Sequence, residues 1–351
     1  MQKRIPTVLM RGGTSKGLFF HDNHLPADAE TRHRVILAAF GSPDPNRRQI
    51  DGVGGGVSTT SKAAIISPSE SPAYDVVYNF AQVSLDRPIV DLKSNCGNIS
   101  SAVGPFAVDE GLVKAVEPAT RVRIHQLNTD KLITAEVPVK NGRFDEAGDY
   151  AIAGVPGTHS KITLRFADPG GALTGKLFPT GNRRDTIGVP EHGAIAITII
   201  DAANPVALVR SADIGLTGIE IDEIDASGAI QQTLETIRCK AAVLIGLATS
   251  EKEATQRSQA VPKVAFASAP QAYTTTGGQT ITAGDVDIVG RIMSMGTLHR
   301  SYAVSGGIAT AGAAAIPGTV VYDLLPTEAR QNELLRIGHP GGIIEVGAVI
   351  E

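Results

Sequence analysis

The segment "SNCGN" (94–98) places Cys96, one of two cysteines in 351 residues, among asparagine, glycine and serine instead of apolar neighbours. The Gly, Ala, Ser, Val and Ile that follow predict a helix from Gly97 to about Val108, apolar on every side and therefore buried. A thiol at a helix start meets unpaired backbone N–H groups and the positive end of the macrodipole, and both stabilise a thiolate. Cys96 therefore suits proton transfer or nucleophilic attack. Cys239, in "ETIRCKAAVLIG", lies in an amphipathic helical pattern and reads as an ordinary core thiol.

A second candidate is Lys62 in "DGVGGGVSTTSKAAII" (51–66). Glycines at 52, 54, 55 and 56 let backbone approach a ligand, Ser58, Thr59, Thr60 and Ser61 supply hydroxyls, and Lys62 stands just before a strand-like run. A lysine held against apolar strands loses the hydration of its charged form and becomes a usable base. The third segment, "MRGGTSKGLFF" (10–20), superficially matches a phosphate loop. A Walker loop needs glycine before its lysine and a hydroxyl after it, whereas Ser15 precedes Lys16 and Gly17 follows. The expectation is an anion site made of Arg11, Thr14, Ser15, Lys16 and loop amides, suited to carboxylates. The eight histidines are scattered, and the closest pair, in "HDNH" (21–24), lacks the further ligands a metal needs. His299, near Ser305, is the histidine assigned to the candidate site. "GVGGG" leads into Ser and Thr instead of an amphipathic helix, so there is no dinucleotide fingerprint. The chemistry is expected to need neither metal nor cofactor.

These residues must be positioned by a chain too long for one ordinary core, so two domains are expected, 1–187 and 188–351, with a linker near 185–192. Short runs rich in Val, Ile, Thr and Phe ("IPTVLM", "KAAIIS", "DVVYNFAQVSL", "RVRIHQL", "LITAEVPV", "KITLRF", "AIAITIID", "PVALVR", "KVAFAS", "GIIEVGAVI") predict strands, with a hairpin at "KNGRF". Helices are expected in "PADAETRHRVILAAFGS", in "AIQQTLETIRCKAAVLIGL" and from about Asp285 to about His299. A further small-residue helix is expected from Gly306 to about Ile316. "SNCGNISSAVGPFAV" and "AVSGGIATAGAAAIPGTVV" share one texture, which suggests a repeat of a sheet wrapped around one central helix. A net charge of -4 offers no basic field for nucleic acid or anionic lipid, so a small molecule is the expected partner. Two distant cysteines form no disulfide framework, and no apolar run reaches the length of a signal core or membrane span. A soluble cytoplasmic protein is expected, with a homodimer left open.

The ordered motifs "MRGGTSKG", "GSPD", "QIDGVGGG", "TSKAAII", "FAQV", "NCGN", "VGPFA", "PTGN", "SMGTLH" and "IPGTVV" resemble the PrpF family of the diaminopimelate-epimerase-like fold, from about residue 4 to the end. The resemblance implies an α+β chain of two similar domains, each a sheet rolled around a central helix, with the active site in the cleft between them. It implies cofactor-independent isomerisation of an unsaturated di- or tricarboxylate such as 2-methylaconitate, methylitaconate, aconitate or 4-oxalomesaconate. It carries a catalytic thiol onto Cys96 and a catalytic lysine onto Lys62. Substrate contacts fall on Ser15, Lys16, Gly97 and Asn98, and on Ser305, Gly306 and Gly307 at the second helix, with Thr60 and His299 beside them. Members of the family usually continue some tens of residues beyond the "GHPGG" region. Racemases and epimerases of this fold use a thiol at each central helix, whereas the second helix here is expected to begin at Ser305. That favours double-bond migration over the alternative, racemisation of an amino or hydroxy acid. A carboxylate-binding protein without turnover would need neither Cys96 nor Lys62.

Overall fold

The computed structural model describes residues 4–350. It divides into two compact units, 1–168 and 169–351, so the break comes earlier than the expected linker at 185–192. The expected linker is instead a strand of the second unit, and the break falls beside Pro169, Gly170 and Gly171. None of the helices among the described residues is long and apolar enough to cross a membrane.

The first unit runs β1 (Val8–Gly12), β2 (Ser15–His21), α1 (Ala29–Phe40), β3 (Lys62–Pro68), β4 (Val76–Val83), β5 (Val90–Asp91), α2 (Gly97–Asp109), β6 (Ala119–Gln126), β7 (Lys131–Lys140), β8 (Arg143–Phe144) and β9 (Thr163–Phe166). Its main path is β1-β2-β3-β4-β6-β7, with β2–β3 and β4–β6 parallel and the other neighbours antiparallel. The expected helix ends are present in α1: Asp28 accepts from the Thr31 N–H at 2.8 Å, and Gly41 closes the helix in the left-handed region. The "KNGRF" hairpin is present too, with Lys140 opposite Arg143 and positive φ at Asn141 and Gly142.

Strand alternation sorts this sheet into two cores. Phe19, Ile66, Tyr78, Phe80, Val122 and Ile133 face α2, which presents Ile99, Val103 and Phe106. Leu18, Phe20, Ile65, Ala81 and Val83 face α1, through Ile36 and Phe40. Eleven residues of α2, from Gly97 to Val108 with Ser101 excepted, are buried, as its small-residue texture predicts.

The second unit runs β10 (Asp185–Val189), β11 (Gly193–Ala202), β12 (Asn204–Arg210), α3 (Asp222–Ala226), α4 (Gly228–Leu244), α5 (Glu251–Arg257), β13 (Lys263–Ser268), β14 (Tyr273–Thr274), β15 (Thr280–Ile281), β16 (Ile288–Ser294), β17 (Thr297–Leu298), α6 (Val304–Ala315), β18 (Leu334–His339) and β19 (Gly342–Gly347). From β11 the order β11-β12-β13-β16-β18-β19 repeats the first unit's alternation: antiparallel, parallel, antiparallel, parallel, antiparallel. The buried central helix again lies between the fourth and fifth strands of the path, so the expected repeat is present.

The repeat extends to a clamp at one parallel junction of each sheet. Asp75, just before β4, accepts from the Arg123 backbone N–H at 2.7 Å and from its guanidinium at 2.7 Å, while Asp75 N–H donates to the Arg123 carbonyl at 2.8 Å. Asp287, just before β16, does the same with Arg336, at 2.8, 2.7 and 2.9 Å. Burial alone would raise the Asp75 carboxyl, but the Arg123 bonds outweigh it and hold it below its ordinary value.

One expected helix is absent. The 285–299 segment is β16, a turn and β17, with Met293 opposite Leu298. Its apolar residues are buried on both faces of a strand, a pattern that periodicity cannot separate from a helix. Arg291 within it looks like the polar stripe of a helix but is fully buried. Its guanidinium donates to the carbonyls of Glu220 at 2.9 Å, Ile219 at 3.1 Å and Gly290 at 3.0 Å, and burial lowers its pKa to about 10.

Candidate active site

Lys62 opens β3, between Gly17 of β2 and Gln82 of β4. It shares its face with Ala64 and Ile66, which turns it toward the α2 side of the sheet. The side chain is buried, with Nζ donating to Gln82 Oε1 at 2.5 Å and lying 5.3 Å from the centre of the Phe80 ring. Gln82 has a fixed orientation because its Nε2 donates to the carbonyls of Ser58 at 3.1 Å and Ser61 at 3.0 Å. Lys62 thus has a neutral partner locked in place by backbone.

A second carboxamide organises the glycine-rich loop. Gln49 is fully buried, donates to Ser42 Oγ at 2.9 Å and accepts from the Gly56 N–H at 2.9 Å and the Ser61 hydroxyl at 2.7 Å. Thr60 donates to the Val57 carbonyl at 3.1 Å and packs against Gly55, so it braces the loop beside Lys62.

Cys96 is the N-cap residue of α2, with extended backbone, and its carbonyl accepts from the Ser100 N–H and Ser100 hydroxyl, each at 2.9 Å. Its side chain is buried in the core cluster that contains Phe19, Ala64, Tyr78 and Phe80. Lys62 and Cys96 therefore lie on the same side of one sheet. The Tyr78 phenol is driven well above its usual pKa by burial, and Cys96 adds to the rise, so this phenol stays protonated beside the thiol.

The "RGGTSKG" segment is a hairpin and not the expected loop. Gly12 pairs with Ser15 and Arg11 with Lys16, which leaves Gly13 and Thr14 as the turn. This tip rests on the first turn of α2, where the Thr14 N–H donates to Asn98 Oδ1 at 3.2 Å. A Cβ at Gly12 would stand 2.3 Å from the Asn98 carbonyl oxygen. Gly12→Ala is therefore expected to cost about 2–3 kcal/mol, because backbone on both sides must move. Chemical denaturation checks this, and an unchanged midpoint would show the contact to be unimportant.

Alternation divides the two residues that follow the turn. Ser15 lies on the α2 face with Phe19, and its buried hydroxyl has no hydrogen-bond partner among the described residues. Lys16 falls on the opposite face with Leu18 and Phe20, so the structure does not bring it together with Lys62 and Cys96. Gly97 and Asn98 form the first turn of α2, and Asn98 spends its carbonyl side on the hairpin.

In the second unit α6 begins at Val304 with Ala303 as N-cap, so Ser305 lies inside the first turn and not at the cap. Ser305 Oγ accepts from Asn204 Nδ2 at 2.9 Å, and Gly306 and Gly307 follow it, buried. His299 is buried, and its Nδ1 accepts from the Ser301 N–H at 3.3 Å, which puts the proton of the neutral ring on Nε2. Cys239 belongs to α4, where its thiol bonds to Glu235 and Thr255; burial, the largest influence, raises its pKa. Both cysteines are free thiols.

Gln82 and Gln49 escaped the sequence reading. Gln82 carried a usable signal: in "YNFAQV" it alternates with Tyr78 and Phe80 on a core-facing side, where a polar residue must have partners. Gln49, with φ of 52° in an irregular segment, had none.

The profile described as "PrpF protein" matches residues 2–351. The chain belongs to the PrpF family. It is 49% identical to the 3-methylitaconate isomerase of Eubacterium barkeri, over all of this chain and 92% of the relative. It is 41% identical to the 4-oxalomesaconate tautomerase of Pseudomonas putida, over all of this chain and 90% of the relative. The crystal structure of methylitaconate-delta-isomerase superposes with a TM-score of 0.80 at 48% identity, covering all of this chain and 90% of that one. A probable proline racemase from Agrobacterium radiobacter K84, at 15% identity and a TM-score of 0.53 over 97% of this chain and 83% of that one, shares the fold. This PrpF protein is an isomerase.

Proposed function

We propose that this PrpF protein moves a carbon–carbon double bond by allylic proton transfer in a short unsaturated di- or tricarboxylate, without a cofactor. The observation that carries the reading is Lys62, buried and held by Gln82, on the same sheet face as Cys96. Removing a proton from carbon alpha or vinylogous to a carboxylate leaves a dienolate whose extra charge spreads onto carboxylate oxygens. Returning a proton two carbons away completes the shift, so one proton leaves and one arrives. Lys62 and Cys96 carry that traffic, one as base and the other as acid or support to the base. The amides at the start of α2, with Gly97 and Asn98, stabilise the developing charge, and the unpartnered Ser15 hydroxyl is available to a carboxylate oxygen. Ser305, Gly306 and Gly307, with His299, are the second unit's candidates for carboxylate contact. A reducing, cytoplasmic setting suits the two free thiols.

Racemisation by two thiols is disfavoured because Ala303, Val304 and Ser305 stand at the start of α6, and Cys239 is committed to α4. The relatives' names supply methylitaconate and 4-oxalomesaconate for the panel, with 2-methylaconitate and cis-aconitate added. Ultraviolet absorbance in buffer containing a chelator is expected to show turnover of at least one acid, and in deuterated water deuterium should enter at the allylic carbon. No turnover of any of the four acids would overturn the reading.

A further inference from the structure

The amine of Lys62 is aimed by a chain of contacts that starts outside the sheet. Gln82 Nε2 donates to the carbonyls of Ser58 and Ser61, which stand at the first residue of a 3-10 turn, Ser58–Thr60, and just past its last. The carboxamide that receives Lys62 Nζ therefore points wherever this turn is placed. Ser61 acts twice, because it is also the residue before β3, and its carbonyl accepts from the Val83 N–H at 3.0 Å.

Gln49 holds the turn from behind. Its Oε1 accepts from the Gly56 N–H at 2.9 Å, ahead of the turn, and from the Ser61 hydroxyl at 2.7 Å, after it. One oxygen thus fixes both ends of the 56–61 segment, and the Ser61 hydroxyl shares its proton with the Val57 carbonyl at 2.9 Å. Gln49 is itself anchored: Nε2 donates to Ser42 Oγ at 2.9 Å and the backbone N–H donates to Asp44 Oδ2 at 2.7 Å. A Cβ at Gly54 would stand 2.2 Å from Gln49 Oε1, so the glycine-rich loop closes directly on this side chain. A fully buried carboxamide with both of its polar atoms bonded specifies one arrangement of its partners. We propose that Gln49 is a positioning residue for Lys62: by holding Ser61 it sets, through Gln82 and through the start of β3, where the reacting nitrogen stands. The inference rests on the proton-transfer role given to Lys62 above, but the placement of the amine is measured apart from turnover.

Two variants cut the chain at different points. Gln49→Met keeps the length of the side chain and removes all of its hydrogen bonds, whereas Ser61→Ala removes one hydroxyl and leaves the carbonyl that holds Gln82. Protein labelled with 13C-lysine reports the amine directly, since the Lys62 ε-methylene is the signal absent from Lys62→Met. In wild type a held side chain should show two resolved ε-proton resonances, and in both variants these should collapse toward one average. On whichever panel acid is turned over, kcat should fall about 10- to 100-fold, the cost of a misplacement of about 1 Å. KM should stay within about threefold, because no substrate contact is lost. Thermal unfolding sets the amount of folded protein to which kcat is referred, and if Gln49→Met does not fold, Ser61→Ala decides alone. Resolved ε-proton signals and a kcat within about threefold of wild type in a folded variant would overturn the role of Gln49 and leave the isomerisation standing. Averaged signals with unchanged kcat would keep the link and remove Lys62 from the chemistry. If wild type turns over none of the acids, the spectra alone decide the link: averaging in the variants upholds it, and unchanged splitting overturns it.

Discussion

Lys62→Met is expected to lower kcat by about 10³-fold, the scale of a general acid–base group removed from a positioned site. Methionine matches the length and much of the volume of lysine, so the contact with Phe80 survives while the proton-carrying nitrogen is lost. The substitution leaves Gln82 Oε1 buried without its donor, at a cost of about 1–3 kcal/mol that the relief of burying an amine partly offsets. Denaturation measured beside the kinetics separates the two effects: the loss of stability should stay within that range while activity falls about 10³-fold. Turnover within tenfold of wild type in a folded Lys62→Met protein would remove Lys62 from the chemistry.

Cys96→Ser is expected to cost about 10²-fold or more in kcat with little change in stability. Serine fits the space and keeps the N-cap position, and the bonds that close the first turn of α2 use the backbone carbonyl of residue 96, not its side chain. What changes is acidity, because a hydroxyl at a helix start does not yield the anion that a thiol does. Alkylation by iodoacetamide offers a separate readout. Wild type should lose activity on labelling and a Cys239→Ser protein should lose it equally, which assigns the loss to Cys96. Full activity in Cys96→Ser would make the thiol a packing residue.

Reading α2 from the sequence worked because its signal is compositional: Gly, Ala, Ser and Val without a polar stripe leave a helix no stable place except the centre of a sheet. Cys96 and Lys62 were legible for a related reason, since each is a reactive type among small polar neighbours at the edge of an apolar run. The hairpin at Gly12–Ser15 was not, because two glycines and a threonine read equally as a loop or as a tight turn between short strands. That ambiguity joined Lys16 to Ser15, which strand alternation separates. The strand at Ile288–Ser294 was not legible because it is buried on both faces, which leaves no alternation to read, and the charge of Arg291 within it is satisfied by carbonyls distant in sequence. Gln82 illustrates the same limit: a residue that orients the reacting amine contributes only through partners that the chain brings together on folding.

The Asp75–Arg123 and Asp287–Arg336 clamps occupy the same junction in both units, with the same backbone and side-chain bonds. Two halves built on one frame carry the mark of a duplicated ancestor. Once the frame was held twice, the residues at the mouth of each central helix could diverge. One copy carries a thiol, Cys96, at the cap of its central helix, and the other carries Ala303 there. The same frame therefore presents different side chains at the two helix starts.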